Sequence, residues 1–185
     1  IDYLQFTNVK FDGGGTAQYC VDQILGRNTH NMAFINCRFT NAFSDGYNTG
    51  NTPGYTNFVH CRFDNNGGAG ISNAHSNFSM YHKCLFDNNT TDGARIGGFA
   101  RISNCVFAHN GAAGAIINNS TAVTDSVFDG NTGNGCQVRA TGQGPFINCI
   151  YSNNGGYGLT LESGVEARHY MCNFWNNSSG NWTSH

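Results

Sequence analysis

Eight segments of the chain share one frame. Each has a small residue, usually Cys, then an aromatic two positions on; most add an Asn at the fifth position and a Gly at the ninth. The aromatic row runs Phe11, Phe39, Phe63, Phe86, Phe107, Phe128, Tyr151 and Phe174. The row two places earlier runs Val9, Cys37, Cys61, Cys84, Cys105, Ser126, Cys149 and Cys172. Gly fills the ninth position at Gly46, Gly70, Gly93, Gly114, Gly135 and Gly158. Successive units are therefore 21 to 28 residues apart. A unit of that length cannot bury an apolar side by itself, so each must stack on its neighbours in a solenoid.

Within a unit, take the Cys position as zero. Positions zero and two are apolar, and alternation turns both inward, leaving positions −1 and +1 outside. Position −3 is apolar as well: Phe6, Phe34, Phe58, Tyr81, Ile102, Val123 and Phe146, then His169. Positions +10 and +12 form a further alternating pair, as in Ala94/Ile96 and Leu159/Leu161. Asn at +5 suits a turn, since its side chain bonds nearby backbone, and stacked Asn residues bond along their row. Gly at +9 suits re-entry into a strand at a cramped bend. No unit shows helical periodicity, and the Leu framework of a leucine-rich repeat is missing. The expected fold is all-β: a single-stranded right-handed parallel β-helix, the hand following from the crossover rule. Eight coils about 4.8 Å apart give a rod about 35–40 Å long. Residues 1–185 form one such domain, expected to be part of a longer chain or an oligomer, because bare solenoid ends are edge-pairing hazards.

Composition narrows the function classes. Only 11% of the 185 residues are charged and the net charge is −2, which gives no nucleic-acid footprint. No apolar run reaches the roughly 18 residues of a membrane span. Eight Cys would suggest disulfides in a secreted chain. Six of them share one repeat position, however, so their Cβ vectors run parallel, which suits a disulfide poorly. Ser126 and Val9 replace Cys in that row without breaking the frame, so the row reads as small buried fillers.

The run Asn-Cys-x-Phe-x-x-Asn-x-x-x-Gly resembles the coil repeat of the right-handed parallel β-helix superfamily, pectate-lyase-like, which includes polysaccharide lyases, polygalacturonases and phage tailspikes. It stands out in Asn36-Cys37-Arg38-Phe39, Asn104-Cys105-Val106-Phe107 and Asn148-Cys149-Ile150-Tyr151. The resemblance spans nearly the whole chain and specifies fold far more than activity. It implies dealings with acidic polysaccharides. The hydrolase motifs Asn-Thr-Asp, Asp-Asp, His-Gly and Arg-Ile-Lys are absent; the nearest strings, Asn131-Thr132-Gly133 and Arg95-Ile96-Gly97, lack the carboxylate and the lysine. If the chain is an enzyme, the expectation is therefore a lyase, with Arg62 or Lys83 as base near His60.

Outward positions sort the candidate site residues. Arg38, His60, Arg62 and Lys83 are expected on one strand face of coils two to four, walled by Arg27, His30 and His75 from the long early loops. Such a patch attracts carboxylated or sulfated sugars; the alternative is a solvated strand face. Asp64 and Asp87 sit at +3 on adjacent rungs, where they would hold calcium, form an acid/base pair, or make Asx turns. Calcium is the one cofactor considered. Leu85, Val106, Val127 and Ile150 form an outward apolar stripe that would dock another subunit, in a homotrimer for instance, or neighbouring parts of a longer chain; the alternative is a row of simple surface β-formers. The expected function is recognition of an anionic polysaccharide by a secreted, cell-surface or tailspike-like protein. The alternatives are a lyase and a purely structural rod.

Overall fold

The structure, a computed structural model, describes residues 3–23, 31–49, 55–73, 78–139, 144–165 and 167–183. Every regular element among them is a strand, and the strands build three parallel sheets of eight. Sheet A runs from Tyr3–Thr7 to Arg168–Tyr170, sheet B from Lys10–Asp12 to Asn173–Trp175, and sheet C from Val21–Asp22 to Gly180–Thr183. In each sheet the order follows the chain, one strand per coil, which is a parallel β-helix.

The inward rows stack as the repeat demands. Phe63, Phe86 and Phe107 lie with ring centroids 5.0 and 4.6 Å apart and planes within 7° of parallel. A second column, Phe34, Phe58 and Tyr81, has spacings of 5.2 and 5.5 Å. Burial of these rings is the main driving force, at about 25 cal/mol per Å² of apolar surface. All eight cysteines are free. The thiols of the stacked row donate to backbone carbonyls, Cys61 Sγ to Phe34 O at 3.2 Å for example, and burial pushes the Cys149 thiol up to about 12.

Two left-handed corners per coil shape the cylinder. The −1 residues Asn8, Asn36, His60, Lys83, Asn104, Asp125, Asn148 and Met171 have φ between 51° and 60°. They do not continue a strand, as simple alternation suggested, but form a one-residue corner between sheets A and B. The reason lies in the frame. Positions −3 and zero are an odd number of residues apart, so a straight strand would point them to opposite faces. One αL residue resets the alternation and turns both inward. Position +4 makes the second corner, with Asn41, Asn65, Asn88, His109, Asn153 and Asn176 at φ 52–58°.

Inside that second corner runs the Asn ladder. Asn66, Asn89, Asn110, Asn131 and Asn154 are all buried. Each Nδ2 donates to the Oδ1 of the next rung at 2.8–3.0 Å and to a backbone carbonyl of the preceding coil. Asp45 and Asp92 work between coils too: they accept from the amides of Ala69 and Ala113 at 2.7 and 3.0 Å, rather than closing their own turns. The ninth-position glycines are needed for close approach. A Cβ on Gly93 would lie 2.4 Å from the carbonyl oxygen of Gly114.

Candidate functional site

The three sheets give the rod three faces, and each carries a different chemistry. Sheet B and its corner hold the residues singled out from the sequence. Arg38 and Arg62 are register partners, with Leu85 on the next rung. His60 and Lys83 occupy the αL corner beside them. The cluster therefore exists, but it is split between a strand and a corner. It is also largely neutralised. Asp64, fully buried, receives Arg38 Nε at 2.8 Å and Nη2 at 2.5 Å, while Arg62 Nε lies 3.3 Å away. Asp87 lies 3.4 Å from Arg62 Nη2 and 3.1 Å from His109 Nδ1. Hydrogen bonding to Asp64 raises the pKa of the Arg38 guanidinium. Spacing alone assigns Asp64 and Asp87 to calcium, an acid/base pair or Asx turns, because it does not show that the outward arginines at +1 reach the carboxylates at +3. The turn is made one position later, by Asn65 and Asn88.

Those ion pairs decide what the cluster can do. A calcium ion at Asp64 and Asp87 would have to displace two guanidinium groups, so the donor set does not fit a cation. Among the described residues no group of three or more His, Cys, Asp or Glu is placed to hold a metal. Arg62, with its N–H groups turned to two carboxylates, is poorly set up to take a substrate proton. Lys83 has no carboxylate partner among the described residues. Arg27, His30 and His75 lie outside the described residues. Further along the same face Leu85, Val106, Val127 and Ile150 stand in register as the apolar stripe, with Ile150 45% exposed.

Sheet C carries a polar cleft of about 520 Å³ over coils four to six. Arg95 Nε is held by Asp92 at 2.8 Å and its Nη2 donates to Thr91 Oγ1 at 3.0 Å. Arg139 Nε lies 3.2 Å from Glu162 Oε1, and its Nη2 donates to Gln137 Oε1 at 3.0 Å. The remaining lining mixes Ala112, Ala113 and Ile116 with the amides of Asn118, Asn134 and Gln137. A legible signal for this site existed. If +10 and +12 point inward, +11 points out, and that row reads Ser72, Arg95, Ile116, Gln137 and Thr160.

Sheet A carries a more apolar cleft of about 540 Å³. Its outer face presents Tyr55, Phe78 and Phe99, each 50–56% exposed, stacked with centroids 5.5 and 5.6 Å apart. They recur at position −6, one rung apart, and no inward packing explains them.

Solved structures share this parallel β-helix fold. The crystal structure of pectate lyase Pel9A superposes with a TM-score of 0.60 at 15% identity, over 84% of this chain and 54% of that one. The periplasmic alginate epimerase AlgG gives a TM-score of 0.54 at 11% identity, over 85% of this chain and 51% of that one. The chain thus spans about half the length of each. No family model matches the sequence, and no curated protein matches it.

Proposed function

We propose that this β-helix recognises a polysaccharide, with acidic sugars as the preferred class, in an extracellular or periplasmic setting. The observation that carries the reading is the polar cleft on sheet C. Two guanidinium groups, Arg95 hydrogen-bonded to Asp92 and Arg139 to Gln137, share the cleft with two alanines, an isoleucine and three side-chain amides. Sugars offer a C–H face and a rim of hydroxyl or carboxylate oxygens, and a concave site with some apolar surface and a few fixed donors suits them. Anchoring by Asp92 and Gln137 reduces the rotamer entropy lost on binding. The fold likeness to a pectate lyase and an alginate epimerase supports the same ligand class.

Lys83 stands at the corner between sheets A and B with His60 beside it and no carboxylate partner among the described residues, while Arg38 and Arg62 are held by Asp64 and Asp87. Because the arginines are engaged, binding without chemistry is favoured over a lyase reaction. The stripe from Leu85 to Ile150 is the surface through which a homotrimer would form, and sedimentation of wild type against Ile150→Lys tests that contact.

Titration calorimetry with oligogalacturonate and oligoalginate, against their neutral esters, tests the function. The expected result is binding of the acidic forms. Arg95→Ala and Arg139→Ala should each weaken it about tenfold, or about 1.4 kcal/mol. Absence of binding by the wild type, or unchanged affinity in both cleft variants, overturns the proposal. Release of an unsaturated product by the wild type would move the function to a lyase.

A further inference from the structure

The ring column on sheet A stops partway along the rod, as the inner −3 column does where Ile102 follows Tyr81 but the +2 column does not. Phe11 to Phe174 continues through every coil. The outer column has three rings, Tyr55, Phe78 and Phe99, and then Ser120 takes the next rung. The register sets this: Ala100 pairs with Thr121, so Ser120 stands one coil above Phe99. The Phe99 face on that side has no ring against it. Beyond it the wall is made of small or flat residues, Thr121, Ala122, Gly144 and Pro145. Gly144 presses on the backbone of Thr121, where a Cβ would come within 1.9 Å of the carbonyl oxygen. A void therefore sits where a fourth ring would go.

We propose that this cleft is a sugar-binding site separate from the one on sheet C, in which one pyranose ring stacks on Phe99 and completes the column. Three observations support it. Exposed rings in a contiguous row are costly to leave against water unless they contact something. The 540 Å³ cleft falls within the roughly 300–1,000 Å³ of small-molecule sites. Arg101, two residues beyond Phe99 and therefore on the same face, lines the cleft and is exposed, with no carboxylate partner among the described residues. A ring with a C–H face for Phe99 and a carboxylate or sulfate at its edge for Arg101 matches the pair. An apolar peptide would leave Arg101 without a partner. The inference takes its ligand class from the glycan reading above, but it stands on different residues and a different face.

The test is substitution Ser120→Phe, which supplies the missing ring and fills the cleft at a surface position, with circular dichroism to confirm folding. The probe is trigalacturonate, with calorimetry giving stoichiometry. Wild type should bind two per chain and Ser120→Phe one, and Arg95→Ala should weaken the remaining sheet C site about tenfold. Phe99→Ala should match Ser120→Phe, and Arg101→Gln should weaken the sheet A site about tenfold for the acid while leaving its methyl ester unaffected. Unchanged stoichiometry in folded Ser120→Phe overturns this site and leaves the sheet C reading intact. Equal losses for acid and ester in Arg101→Gln overturn the role of Arg101. No sugar bound by wild type at either face overturns both readings together.

Discussion

Asn88 and Asn89 are neighbours of one residue type with opposite expected costs of substitution. Asn89 is buried and makes four hydrogen bonds with its side chain. Nδ2 donates to Phe63 O at 3.1 Å and to Asn110 Oδ1 at 3.0 Å, while Oδ1 accepts from Asn66 N at 3.3 Å and Asn66 Nδ2 at 2.9 Å. Asn89→Ala removes all four and strands polar groups of the two neighbouring coils in a dry corner. At about 1 kcal/mol net per bond, with more for each group left unsatisfied, the loss comes to about 3–5 kcal/mol. That is a large part of the roughly 5–15 kcal/mol stability of a domain. Asn88, in contrast, is exposed with φ 53°. Asn88→Gly relieves left-handed strain of about 1 kcal/mol and costs a similar amount of backbone entropy, so it should be near neutral. Urea unfolding followed by far-ultraviolet circular dichroism measures both variants against wild type. A loss below about 1 kcal/mol for Asn89→Ala, or equal losses for the two variants, would refute the assignment of the ladder as the interlock between coils.

Gly93→Ala places a methyl against the carbonyl of Gly114 and should destabilise by about 1–3 kcal/mol in the same assay, the usual cost of overpacking; wild-type stability would remove the close-approach argument. Asp12 is held down to about 2 from 3.8, first by its hydrogen bond to Lys10, whose Nζ lies 2.5 Å away. A carboxylate with a depressed folded value adds stability that is present above about pH 4 and is lost as pH falls from 3.8 through about 2. Lys10→Met should return the Asp12 titration, read by carbon NMR, toward 3.8, and an unmoved midpoint would contradict that cause. The buried thiols should resist aromatic disulfide reagents in the folded protein. Burial raises Cys84, Cys136 and Cys149, so labelling of these three should track unfolding, with the half-buried Cys20 and Cys172 reacting first. Fast labelling of Cys84 in the native protein would count against its packed position.

Much of the fold was legible, and the particular residues show why. The row from Phe11 to Phe174 needed only spacing, because a fixed repeat puts equal positions on one line. The same spacing also held an unread clue, the odd step from −3 to zero, which requires the αL corner occupied by His60 and Lys83. The site was legible in part. Arg38, Arg62, His60 and Lys83 do gather, yet Asp64 and Asp87 gather with them and engage the arginines. Arg95, Phe99 and Arg101 were within reach of the outward rows at +11, −6 and −4, whereas Arg139, at +13, was not.

Periodicity along the chain is enough to say which residues lie above one another, since a buried side chain tolerates no slip of register. Which outward residues face one another across a corner or along a sheet emerges only in three dimensions. Those encounters depend on the angle at each turn and the distance between coils, and no single unit of the repeat contains either.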